Sequence, residues 1–412
     1  MRLLPSRAPR SLAHRIATDD VRRSLWRHPA SIAAAALALT LGAVPLLPDG
    51  YDAERGEIAP AADAAPSHGA TGRGRVTAEM RAEIERVVAE GALLDRASGR
   101  TARALASVRC ATFDGQRYCL GFGWTNRSRE ELAARLEPDP ASGRERTGDL
   151  DAQALVARSA GRTTAARATA DRAELTAAAQ AVGKVWLLRH EIQGVDLPAD
   201  FAAQHPEVAG ATDGPGAAKG FGASYPERFS ILDRRQVAAQ NETWWCGPAT
   251  MQAIGWGDDQ KRRNQSYWAR RLGTTSAGTA ITDMVRVVNN KTDYDDEEHA
   301  GPYVTLDVSD FTFKQWYRLM MRHVHDYRAP VVLHPILLKQ YYPYLDDDAS
   351  GHFQVGRGFD QNPGGNPQLG YFEPWDQSRF DPSEPAIGRV QWRNAYRSYR
   401  ANLAHFQHNV GV

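Results

Sequence analysis

The sequence predicts an α+β fold: a helix carrying a lone thiol, packed on an antiparallel sheet, behind a smaller helical module with one hairpin. Three observations predict it. Apolar residues recur near helical spacing from Val76 to about Ala106, and an Ala-rich helical run covers Leu150 to about Arg189. Turn signals between strand-like runs stand at Asp114-Gly115 and across Asp360 to Gln368. A helix-competent run, Ala249 to Ile254, follows Cys246-Gly247-Pro248, where Pro248 suits a first helical turn.

In order, the chain divides by composition into five stretches. Residues 1–50 form a targeting segment or membrane anchor. Residues 51–75, rich in Ala, Pro and Gly without period, read as a flexible linker. Residues 76–192 form the helical module with the Cys110–Cys119 hairpin, whose second strand is expected to run on through Trp124. Ser128-Arg-Glu-Glu131 is a capping box opening a short helix, residues 137–150 read as a loop, and the Ala-rich run is broken near Gly161. Residues 193–225 are a second linker. Residues 226–412 hold seven of the ten tryptophans, and the Ala-rich stretches stop there. Within this last stretch the spacing predicts helices over Ala280 to Val288, Phe311 to His325 and Val390 to His405, with a buried strand at Pro330 to Pro335.

Net charge is +1, so the global balance gives no reason to expect a nucleic-acid partner. Met1 to His28 carries seven arginines against two acidic residues, and an apolar run from Ala30 to Leu47 follows. Such a run fits a long signal peptide or a single membrane anchor. Arginines on its near side stay in the cytoplasm, so the rest of the chain is expected to be extracytoplasmic, with membrane contact at the N-terminus. The three cysteines agree. A hairpin centred on Asp114-Gly115 sets Cys110 opposite Cys119, and outside the cytoplasm the two form a disulfide. Cys246 is left over, and an odd exported thiol is a liability unless it is used.

A thiol at a helix N-terminus faces the positive end of the helix dipole, which favours the nucleophilic thiolate. Gln240 lies six residues upstream, near enough to fold back beside the sulfur. Its amide N–H and the backbone N–H of Cys246 then form an oxyanion hole. The thiol needs a base and the base an orienting group. Of the seven histidines beyond residue 226, His352 stands out: it opens one strand of a hairpin whose returning strand ends at Glu373. An unbulged ladder pairs the two directly, so that the carboxylate fixes the imidazole tautomer. Asp376, three residues on, is the alternative carboxylate.

The stretch Gln240…Trp245-Cys246-Gly247-Pro248-Ala249-Thr250 resembles the nucleophile segment of the peptidase C39-like group within the papain-like cysteine peptidases. Gly278-Thr279 before a helix ending Val-Val-Asn-Asn, and Gly351-His352-Phe353 followed by Glu373-Pro374, are similar to the same pattern. The departure is Glu where the family usually has Asp. The resemblance runs from about Arg228 to Pro374. It implies a papain-like domain over 226–412 and hydrolysis of peptide or amide bonds, with Cys246, His352, Glu373 and Gln240 as its site. It implies no cofactor and a peptide or protein substrate. Nothing in the chain looks like the transporter fused to the bacteriocin-processing branch. Two rivals stand beside this reading. One is an amidase or transferase on cell-wall peptides using the same Cys–His pair. The other is an inactive papain-like module used only for binding.

Overall fold

The structure is a computed structural model that describes residue 60 and residues 71–137, 144–209 and 225–412. The expected targeting segment 1–50, and most of the 51–75 linker, lie outside these residues. Among the described residues no helix is long and apolar enough to cross a membrane. The fold is mixed helix and strand, 45% and 15%, built on an antiparallel sheet with one disulfide.

Ten strands form the sheet among the described residues: β1 (Cys110–Phe113), β2 (Gln116–Cys119), β3 (Gly123–Trp124), β4 (Arg228–Ser230), β5 (Thr305–Asp307), β6 (Val331–Leu333), β7 (Gln354–Asp360), β8 (Gln368–Phe372), β9 (Val390–Asn394) and β10 (Asn409–Gly411). Their order is β1-β2-β3-β5-β10-β6-β7-β8-β9, with β4 also on β7. Pairing is antiparallel except between β3 and β5, where Trp124 faces Leu306.

That parallel pair corrects the expected division of the chain. The 76–192 module is not a separate domain from 226–412, because its hairpin extends the same sheet and one hydrophobic core runs through both. Asp49–Val412 forms one compact unit. The change in composition near residue 226 separates Ala-rich helices from Trp-rich sheet and says nothing about a boundary. Gly123 makes the junction fit: it sits at φ +89, and a Cβ there would lie 2.3 Å from the Thr305 carbonyl oxygen. The end of the first expected linker is likewise bound to the fold, since Gly72 N–H donates to Glu207 and Gly74 N–H to Gln180. In the second, Phe201–Gln204 and Pro206–Val208 are short helices.

The Cys110–Cys119 disulfide is present, with the two residues paired across β1 and β2. Asp114 and Gly115 both take positive φ in the two-residue turn between them. The second strand does not run on to Trp124, because Gly121 turns the chain at φ +77 before β3 begins. The Ser128 capping box caps Arg129–Ala134. The Ala-rich run is three helices, Ala152–Ala160, Thr164–Gln180 and Val182–Gln193, the first ending at Gly161.

Beyond residue 226, the helix Phe313–His325 buries Trp316, Leu319, Met320 and His323 as its spacing predicts. The expected final helix over 390–405 is corrected at its start. Val390–Asn394 is strand β9 on β8, and the helix is Ala395–Ala404. Within Val-Gln-Trp-Arg-Asn burial alternates with period two, the signature of a strand. The chain then ends in β10, inserted between β5 and β6.

Candidate active site around Cys246

The helix Cys246–Asp259 begins at the cysteine itself, with Pro248 in its first turn. Every residue from Cys246 to Gly255 is buried, so this is a central helix with no solvent face in its first ten positions. The hydroxyl of Thr250 donates to the Phe353 carbonyl at 3.0 Å and fastens the helix to the chain entering β7. Gly247 lets it approach its neighbour, since a Cβ there would lie 2.5 Å from Thr279 Oγ1.

His352 stands just before β7, its backbone N–H donating to the Pro335 carbonyl at 2.9 Å. Glu373 follows β8. The two are not direct ladder partners as the unbulged hairpin required. The hairpin closes with Asp360 on Gln368, a register different from the expected one, and a further shift between Gly356 and Gly358 sets Val355 on Phe372. Their side chains still meet: His352 Nε2 donates to Glu373 Oε1 at 2.8 Å, and both residues are fully buried. Glu373 is held from every side. Its Oε1 also takes the Trp375 backbone N–H, and its Oε2 takes the Tyr344 hydroxyl and the Gln354 amide, each at 2.7 Å. Four donors on two oxygens require the ionised carboxylate. Burial works to raise this carboxyl, but His352, Tyr344 and the Trp375 amide hold it below the usual range. Asp376 has Ser378 and Arg389 as its partners.

The carboxylate places the ring proton on Nε2 and leaves Nδ1 with its lone pair. Among the described residues this buried Nδ1 has no hydrogen-bond partner. The thiol lies next to the same segment, for the backbone amides of Phe353 and Gly247 act on its sulfur. The helix N-terminus does not produce a depressed thiol here. Burial pushes Cys246 well above its ordinary value, and Asp149 and Glu373 add to this, while those two amides pull the other way.

Gln240 and the Cys246 backbone N–H do converge, on a single oxygen. Gln240 Nε2 donates to the Thr147 carbonyl at 3.0 Å, and Cys246 N–H donates to that carbonyl at 3.3 Å. The Gln240 amide also faces the carbonyls of Glu242 and Thr243, so its nitrogen is the end that points inward. Thr147 belongs to the stretch read as a loop. It lies buried against the site, and sequence reasoning gave it no role.

Asp149, His334 and His405 form a fully buried group whose donor atoms lie within 4.8 Å of one another. These residues are the ones that could hold a metal ion. His405 Nδ1 accepts the Gln407 N–H, so its Nε2 carries the proton to Asp149 Oδ2 at 2.8 Å. Asn409 Oδ1 faces His334 Nδ1 at 2.7 Å, while the Asn409 amide nitrogen is engaged by Phe122. His334 Nε2 lies 2.9 Å from Asp149 Oδ1. Burial works to raise the Asp149 carboxyl, but the two histidines outweigh it and bring it to about 2. Burial and His334 lower His405 to about 4 against the pull of Asp149.

Gln354 and Tyr344 complete the surroundings of His352 and Glu373, and sequence reasoning gave neither a role. Gln354 had a signal: two residues after His352, it projects to the same face of an extended chain. Tyr344 and Asp149 had none, since each arrives through a loop.

No family model, no curated protein and no solved structure matched this chain.

Proposed function

We propose that this chain is an exported or membrane-anchored thiol hydrolase of peptide or amide bonds, with a papain-like site resembling the C39-like peptidases. The observation that carries the reading is the His352–Glu373 bond, which leaves an unpartnered Nδ1 beside the segment that touches the Cys246 sulfur. A carboxylate-oriented imidazole with one free nitrogen is what a thiol nucleophile needs as its base.

In this reading His352 Nδ1 takes the thiol proton as the sulfur bonds to the substrate carbonyl carbon. Gln240 Nε2 and the Cys246 N–H hold the oxygen as it gains charge. The protonated imidazole gives its proton to the leaving amine when the C–N bond breaks. Water then attacks the thioester, His352 takes its proton, and the acid leaves with the thiol restored. Glu373 keeps the ring oriented throughout and steadies its charged form. The Cys110–Cys119 disulfide supports an extracytoplasmic setting, because such bonds persist in oxidising compartments.

Burial of the thiol favours the rival reading of an inactive binding module. Fluorogenic unstructured peptides assayed beside cell-wall fragments separate peptidase from wall amidase. Loss of all turnover in Cys246→Ala is the result expected of either enzyme. Turnover that survives Cys246→Ala rejects the site.

A further inference from the structure

The Cys246 site is filled by the protein's own chain. Residues 145–150 pass through it, bonded to a wall on each side. On one wall Ser350 N–H donates to the Glu145 carbonyl at 2.8 Å, Thr147 N–H donates to Ser350 Oγ at 3.0 Å, and the Thr147 hydroxyl donates to the Gly351 carbonyl at 2.7 Å. These wall residues immediately precede His352. On the other, Thr279 N–H donates to the Gly148 carbonyl at 2.9 Å and Leu150 N–H donates to the Thr279 carbonyl at 3.1 Å. Both contacts are parallel bridges, Glu145 to Ala349 and Asp149 to Thr279. Between them the Thr147 carbonyl takes both donors assigned to the oxyanion. Main-chain pairing of this kind is how proteins bind an extended peptide.

Two features fit the segment to its place. Gly148 sits at φ +119, and a Cβ there would come within 2.5 Å of the Trp244 main chain. Asp149 is clasped by His334 and His405. An open cavity of about 860 Å³ lies elsewhere, lined by Arg158, Asp283 and Arg286 among others, and none of Cys246, His352 and Glu373 borders it.

We infer that residues 145–150 are an internal ligand of the cleft, and that the cleft takes an extended polypeptide strand from outside only once this segment has left. The inference rests on the thiol hydrolase reading for its consequence, though not for its geometry. While seated, the segment fills the oxyanion pocket, buries the thiol and sets the Asp149 carboxylate near it. Its departure removes all three obstacles together.

The test uses the full chain and the iodoacetamide labelling rate of Cys246, with His352 intact and in a His352→Ala background. Gly148→Val expels the segment, and labelling is expected to rise at least tenfold in both backgrounds. A rise in the His352→Ala background upholds the internal ligand even if the hydrolase reading falls. A synthetic peptide of residues 144–151 is expected to slow labelling of Gly148→Val again, and the same peptide with valine at the glycine position is not. If Gly148→Val fails to fold, as seen by its melt, Thr147→Val serves instead. It loses only the hydroxyl bonds to the wall, and a two- to threefold rise is expected. Labelling rates equal to the parent in the folded variant, or no protection by the peptide, overturn the inference.

Discussion

Glu373 holds His352 through Nε2 at 2.8 Å and thereby assigns the imidazole lone pair to Nδ1. Exchange of the carboxylate for an amide tests how much depends on this. Glu373→Gln puts an NH2 group against donors that now meet oxygen. The ring loses its fixed tautomer, and kcat/KM should fall roughly 10²- to 10⁴-fold. Two buried donors left unpaired cost about 2–6 kcal/mol of stability, read as a lower urea midpoint. A variant with parental turnover contradicts the positioning role.

Gly247 controls how close the Cys246 helix comes to Thr279. A Cβ there meets Oγ1 at 2.5 Å and the Thr279 Cβ at 2.7 Å, and so short a side chain cannot swing away. Gly247→Ala should cost about 1–3 kcal/mol by overpacking. Thr279→Gly in the same chain should restore part of it. Purely additive losses in the double variant, measured by denaturant midpoint, contradict the contact.

Acid should weaken the fold in two steps. His405 is held at about 4, below its ordinary value of 6.5, so the unfolded chain binds the extra proton between those values. Its contribution is present above about 6.5 and is lost as pH falls towards 4, about 3 kcal/mol in all. Asp149 is held at about 2, below its ordinary value of 3.8. Its contribution is present above that value and is lost as pH falls through about 2, a further 2 kcal/mol or so. Both act in the same direction. The melting temperature should drop from pH 7 to pH 4.5, and His405→Gln should flatten that drop. A flat profile in the parent chain contradicts it.

The disulfide closes a short loop, Cys110 to Cys119. The chain-entropy account gives it about 2–3 kcal/mol. The Cys110→Ser, Cys119→Ser double variant should lose that much, read as a lower melting temperature, and keep its sheet by far-UV dichroism. Unchanged stability shows that the β1–β2 turn alone suffices.

Local signals carried much of this architecture. Asp114-Gly115 and the Ser128 box act through their own backbone, so the hairpin and the helix after it were legible. So was the helix from Cys246, because Pro248 and the run after it leave few other conformations. His352 and Glu373 were legible as partners through the hairpin they bracket. Their register was not, because the loop closes with Asp360 on Gln368 and a bulge near Arg357 shifts it again, neither of which a local pattern announces. Val390–Asn394 was misread because it abuts a true helix and its alternation is short. The joining of β3 to β5 and the burial of Thr147 were out of reach. Both depend on residues far apart in sequence meeting through the sheet, and a loop containing Thr-Gly-Asp is like many others until its partners are known.

The most direct measurement of the central claim is the pH profile of Cys246 alkylation in a chain freed of its internal segment. In Gly148→Val, with His352 intact, the rate should level off below the ordinary thiol pKa of about 8.5, as an imidazole-paired thiolate requires. Adding His352→Ala should lower the rate at pH 7 at least tenfold and return the midpoint to the ordinary thiol range or above. Superimposable profiles for the two chains would contradict the account.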